Sequence, residues 1–165
     1  MNQGCVALAL SLCLLQAAGP VHAQATPIAS GKNQLNQFAK GSFVVKVLPL
    51  VFEGQPEAGA LGRMSIDKEI SGDLVATSKG QMLSAGTETK GSAGYVAIEH
   101  VVGTLHGRKG SFTLQHSGTM NRGAPSLSVS VVPDSGTGEL VGLIGDFKII
   151  RVAGKHSYEF NYSLL

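Results

Sequence analysis

The sequence predicts an all-β fold, an eight-stranded antiparallel β-barrel. Three observations carry that expectation. Period-two alternation of apolar and polar residues recurs along the chain after residue 40, and glycine-rich breaks bound each stretch. No segment keeps a sustained helical period. Glycine accounts for 22 of 165 residues against 6 prolines, about 13% and near twice the usual ~7%, as expected where many tight turns are needed.

Two segments precede the barrel. Residues 1–23 read as a signal peptide. Val6 to Leu15 is an apolar run broken only by Ser11, followed by Gly19-Pro20 and the small residues Val21 and Ala23, which fit cleavage after Ala23. The run is shorter than the ~20 apolar residues that span a bilayer, so no membrane span is expected in the processed chain. One feature departs from the usual signal: Met1 to Cys5 contains no Lys or Arg. The protein is therefore expected to be exported, either to the periplasm or to the exterior. Residues 24–40 are polar and aperiodic and read as a flexible tether, leaving 41–165 as a single β-barrel domain. Both cysteines, Cys5 and Cys13, fall in the signal. The processed chain would then have no thiol nucleophile, thiolate metal site or disulfide. Roughly 140 residues suffice for a hydrophobic core to hold such a domain unaided.

The expected strands are Ser42–Leu50, Gly62–Ile70, Asp73–Thr87, Tyr95–Leu105, Ser111–Met120, Ser126–Val132, Phe147–Val152 and Ser157–Leu164. The alternation is cleanest late in the chain. Leu127, Val129 and Val131 share one face against Ser126, Ser128 and Ser130. Tyr158, Phe160, Tyr162 and Leu164 oppose Ser157, Glu159, Asn161 and Ser163, and the aromatics read as core. Phe112, Leu114, His116 and Met120 oppose Thr113, Gln115, Ser117 and Thr119. Because the strand repeat is two, each strand has one core face. Short connections such as His106 to Gly110 and Val152 to Lys155 favour antiparallel hairpins. Closure removes the two sheet edges, and eight strands leave room for packed side chains or one small ligand. A β-sandwich is the competing architecture. Both faces of Val44–Leu48 and Val96–Val102 carry apolar residues, so oligomerisation is expected to cover the outer one.

Composition limits the function classes. Charged residues make up 15% of the chain, and 13 Lys+Arg against 11 Asp+Glu give a net charge of +2. No basic stripe for nucleic acid results. Without Trp, a carbohydrate-binding module fits poorly. Ser135 to Gly145 is the most glycine-dense stretch. It lacks both the lysine and the flanking helix of a phosphate loop, so it reads as a tight corner. Gly91-Ser92-Ala93-Gly94 is one residue too short for a nucleophile elbow. His100 and His106 lie six residues apart, about 20 Å along a strand, and cannot share an ion from a straight one. No metal or cofactor is expected.

The constellation that carries chemistry lies on the central hairpin. A loop of two or four residues would put Glu99 on the same face as His116 and Gly118, with Tyr95 further along. A loop of three or five residues would instead place His100 there. A carboxylate and an imidazole inside an apolar barrel would have perturbed pKa values and could act as an acid–base pair, with Tyr95 orienting a substrate. Alternatively, Glu99 pairs with His116 or a nearby lysine as a structural contact, or faces water.

Several stretches together resemble domain-of-unknown-function family 3224 of bacteria. They are Lys40-Gly41-Ser42-Phe43, Ser71-Gly72-Asp73-Leu74, Gly80-Gln81-Met82-Leu83, Gly94 to Glu99, Gly103 to Leu105 with Gly107-Arg108, Gly110 to Thr119, and Val131 to Leu140. The resemblance runs from about Lys40 to the C-terminus and implies a barrel like that of allene oxide cyclase and the plant dirigent proteins. Those proteins also have a Gly-Thr-Gly-type corner before a late strand, and they steer a reactive intermediate in an apolar cavity. Their catalytic residues are not carried over residue by residue, so Tyr95, Glu99 and His116 rest on the pattern alone. Three functions follow as expectations. The first is binding of a small apolar or amphipathic ligand; the second is a cofactor-free isomerase or cyclase. The third is a structural or interaction protein with a filled barrel.

Overall fold

The computed structural model describes residues 36–51 and 61–165. The expected signal peptide and tether residues 24–35 lie outside them. The described chain forms eight strands: β1 Gln37–Leu50, β2 Leu61–Gly72, β3 Leu74–Gly86, β4 Ala93–Leu105, β5 Arg108–Asn121, β6 Ala124–Val131, β7 Leu143–Val152 and β8 Lys155–Leu164. They close into an antiparallel barrel in sequence order, with β1 joined to β8. No described helix is long and apolar enough to cross a membrane; the one helical element is the 3-10 turn Gly138–Leu140.

Turn chemistry sets the registers. His106-Gly107, Arg122-Gly123 and Ala153-Gly154 all have positive φ at both residues. This is the type I′ geometry, whose twist matches that of antiparallel strands. The two-residue turn at His106-Gly107 pairs Leu105 with Arg108, and the ladder continues to Ala93 opposite Met120. Arg108, Lys109 and Gly110, expected in a loop, therefore belong to β5.

Alternate residues point inward, and burial along them is graded from one end to the other. At the end holding the β2–β3 and β4–β5 turns, the interior is filled. Ala39, Leu74, Leu105, Leu114, Phe160 and Tyr162 are fully buried there. Phe160 stacks with Phe112 and Tyr162 at centroid separations of 5.8 and 5.2 Å, and Phe147 lies tilted against it at 5.4 Å. The 3-10 turn presses buried Leu140 against Gly110. Toward the opposite end, the inward-facing Val45, Met64, Met82, Tyr95 and Ile149 are only partly buried. Val47 and Leu127 are 41% and 44% exposed. Among the described residues, the inward side chains grade from a filled aromatic floor to a partly exposed apolar mouth, a funnel of burial.

Two further strands begin well before the starts expected from the sequence. Strand β1 begins at Gln37, inside the segment expected as tether, because Ala39 packs fully buried against the core while Phe38 faces out. Strand β7 begins at Leu143, inside the expected glycine corner, with Leu143 buried opposite Leu164. One seam is incomplete: β6 and β7 meet in register only at Ser130 and Asp146.

Candidate functional site

Four polar side chains meet at the middle of the funnel. Glu99 on β4, Lys68 on β2, Ser78 on β3 and His116 on β5 all occupy inward positions, between apolar neighbours on the same faces. Glu99 is fully buried, and Lys68, Ser78 and His116 are nearly so. Ser78 Oγ donates a short hydrogen bond to Glu99 Oε1. Lys68 Nζ donates to Oε2 at 2.6 Å and lies 4.9 Å from the centre of the Phe43 ring. His116 Nε2 is 3.1 Å from the same Oε2. That is ion-pair distance, but the contact is not aligned as a hydrogen bond, so Nε2 is buried without a hydrogen-bond partner.

The two-residue turn resolves the parity question left open by the sequence. Ala97 pairs with His116 and Glu99 with Leu114, so Glu99 and His116 are diagonal neighbours on one face, within reach of each other. His100 faces outward and is exposed.

Burial pushes the Glu99 carboxyl up, but His116, Lys68 and Ser78 outweigh it and hold the group down at about 2. At neutral pH Glu99 is therefore an anion. A base this weak captures protons poorly; its charge instead orients and polarises its neighbours.

Tyr95 stands apart. It pairs with Gly118 across the β4–β5 ladder, and its ring lies on the face of that glycine. A Cβ at position 118 would collide with the ring. Burial and then the Glu99 charge push the phenol up, yet among the described residues no hydrogen bond joins Tyr95 to the cluster. It lines the funnel four residues above Glu99, about 13 Å along the strand. An open groove of about 370 Å³ at this edge of the wall adjoins it, lined also by the outward-facing Leu83, Val96, Ser117 and Thr119.

Sequence reasoning thus offered Glu99 beside His116 as one of two registers and did not name Lys68 or Ser78. The signal for Lys68 was available, since it shares parity with Ile66 and Ile70 and so had to point where they point. Ser78, between Ala76 and Gly80, carries no comparable mark. Among the described residues, no three His, Cys, Asp or Glu side chains come together as a metal site.

No curated protein matches the chain. A solved structure does: the crystal structure of a protein of unknown function from the DUF3224 family of Shewanella oneidensis MR-1. It is 50% identical in sequence, with a TM-score of 0.74, and the match covers 78% of this chain and 97% of that one. The family model described as "Protein of unknown function (DUF3224)" matches residues 39–162, nearly the whole barrel. The chain belongs to the DUF3224 family.

Proposed function

We propose that the barrel binds a small amphipathic ligand, its apolar part in the funnel and its polar head at the Lys68–Glu99–His116 cluster. The observation that carries this reading is the fully buried Glu99 with its partners in the funnel. A buried ion pair is a poor source of stability, because desolvation costs several kcal/mol per ion and apolar replacement of the whole group is often neutral or better. The barrel already has an aromatic floor for stability. Polar groups buried above it and below a partly exposed rim of Val47, Met64, Met82 and Leu127 match the usual ligand site, which is an apolar wall with a few converging polar groups.

Native mass spectrometry on the protein purified gently from its own envelope tests this. The expected result is a stoichiometric small-molecule adduct that is lost on denaturation. An apo mass, together with no saturable uptake of an amphiphilic fluorescent probe, would overturn it. The same spectrum reads the N-terminus, and a start near residue 24 would support export. It also reads the oligomer. We include self-association in the proposal, because Val75, Leu83, Val96, Ile98 and Val102 form an exposed apolar face on β3 and β4.

A cofactor-free isomerase or cyclase is the second reading, favoured by the 3.1 Å approach of His116 to Glu99. The roles would then divide: His116 moves the proton, and ionised Glu99 fixes the ring and stabilises the imidazolium. Tyr95 would contact the substrate from the mouth. Turnover abolished by Glu99→Gln while binding persists would separate this reading from simple binding. A wholly structural barrel predicts neither binding nor turnover.

A further inference from the structure

Donors and acceptors do not balance in the buried cluster. Lys68 Nζ carries three N–H bonds, of which one ends on Glu99 Oε2. No other hydrogen bond from Lys68 is formed among the described residues, although the side chain is only 6% exposed. Its nearest further contact is the Phe43 ring face, at 4.9 Å. His116 Nε2 is likewise buried without a hydrogen-bond partner. The Glu99 oxygens, by contrast, are engaged: Ser78 holds Oε1 and Lys68 holds Oε2, which His116 Nε2 approaches to 3.1 Å. Buried donors left unmet are costly, and most buried polar groups have a partner.

We propose that the ligand's head is an acceptor without donors, a ketone or ester carbonyl or a carboxylate, and that it is held by the spare N–H bonds of Lys68. This rests on the binding reading above and gives that ligand its chemical class. The geometry also selects against the opposite chemistry. An ammonium head would find both Glu99 oxygens engaged and Lys68 presenting like charge, whereas a carboxylate head, though of like charge to Glu99, would meet the spare N–H bonds of Lys68. The face of Gly118 beside His116 is covered by the Tyr95 ring, so a head reaching the cluster from the mouth passes that ring. Lys68 therefore determines specificity, and Glu99, by pinning one of its N–H bonds, positions the other two.

Three probes of matched chain length test this on the unsubstituted protein by titration calorimetry: decanoate, methyl nonyl ketone and decylammonium. Both acceptor heads should bind roughly tenfold or more tighter than decylammonium, the scale of one charge-assisted hydrogen bond. In the double variant Lys68→Met/Glu99→Gln, which removes both charges together and leaves no ion unpaired, that preference should vanish while weak binding of the ketone persists. Equal binding of all three heads would overturn the inference and leave the amphiphile-binding reading standing. A preference for decylammonium would do the same. Saturable binding of none of the three would overturn both.

Discussion

Glu99 and His116 sit diagonally across the β4–β5 ladder, with Nε2 of one 3.1 Å from Oε2 of the other. A turn of only two residues, His106-Gly107, holds them there. The distance from the turn to the pair is large, yet the dependence is strict, because strand side chains alternate. Adding one residue to the turn would slip the register and send either Glu99 or His116 to the outer face. A one-residue insertion after Gly107 is expected to abolish the folded barrel rather than shift its site. Circular dichroism should show the loss of the cooperative thermal transition.

The low pKa of Glu99 makes stability depend on acid. The carboxyl is depressed from 4.5 to about 2, so its contribution is fully present above pH 4.5 and is lost as pH falls toward 2. The linkage is on the order of 3 kcal/mol. Urea midpoints should fall across that window in the unsubstituted protein and fall markedly less in Glu99→Gln. Parallel curves for the two proteins would contradict the assignment.

Removing one partner of the cluster should cost more than removing two. Lys68→Met leaves the Glu99 carboxylate buried without its cation, and such breakages cost about 3–5 kcal/mol. Combining it with Glu99→Gln should recover most of that loss. Chemical denaturation of the single and double variants measures the coupling directly.

Tyr158→Phe tests a contact outside the site. The Tyr158 hydroxyl accepts a hydrogen bond from the backbone N–H of Leu74 at 2.9 Å, with both residues buried. Deleting the hydroxyl strands that donor, at a cost of about 1–3 kcal/mol. The change should appear as a lower denaturation midpoint with an unaltered m-value.

Gly118→Ala should unseat Tyr95, whose ring occupies the space a Cβ would need. The tyrosine near-ultraviolet dichroism should change, and stability should drop by about 1–3 kcal/mol as the crowded wall adjusts. An unchanged spectrum would mean that Tyr95 has another seat.

The fold was legible because each strand's alternation reports its own core face, and Leu127 to Val131 and Tyr158 to Leu164 do so without ambiguity. The missed boundaries have physical causes. At the start of β1 the pattern is inverted, with Phe38 half exposed and the small Ala39 fully buried. At the start of β7, Gly142 and Gly145 resemble a corner, although Gly145 is flat because Phe160 and the backbone of Asn161 lie against it. Polar Arg108 and Lys109 look like loop because backbone pairing is indifferent to outward side chains. That same polarity hid the turn length, and with it which of Glu99 and His100 faced inward. Lys68 escaped because a lone lysine in a half-polar strand ordinarily faces water.

The seam between β6 and β7 gives the ring an uneven mechanical character. Everywhere else the wall is a continuous ladder, while here a single register position, Ser130 with Asp146, holds two strands together. A hoop with one short weld yields at the weld. Amide protons of Ser126–Val129 and Lys148–Ile150 should therefore exchange faster than those of the β3–β4–β5 ladder. Breathing of the wall should then be concentrated beside Val129, the residue paired with His116, making the barrel softest next to its buried charges.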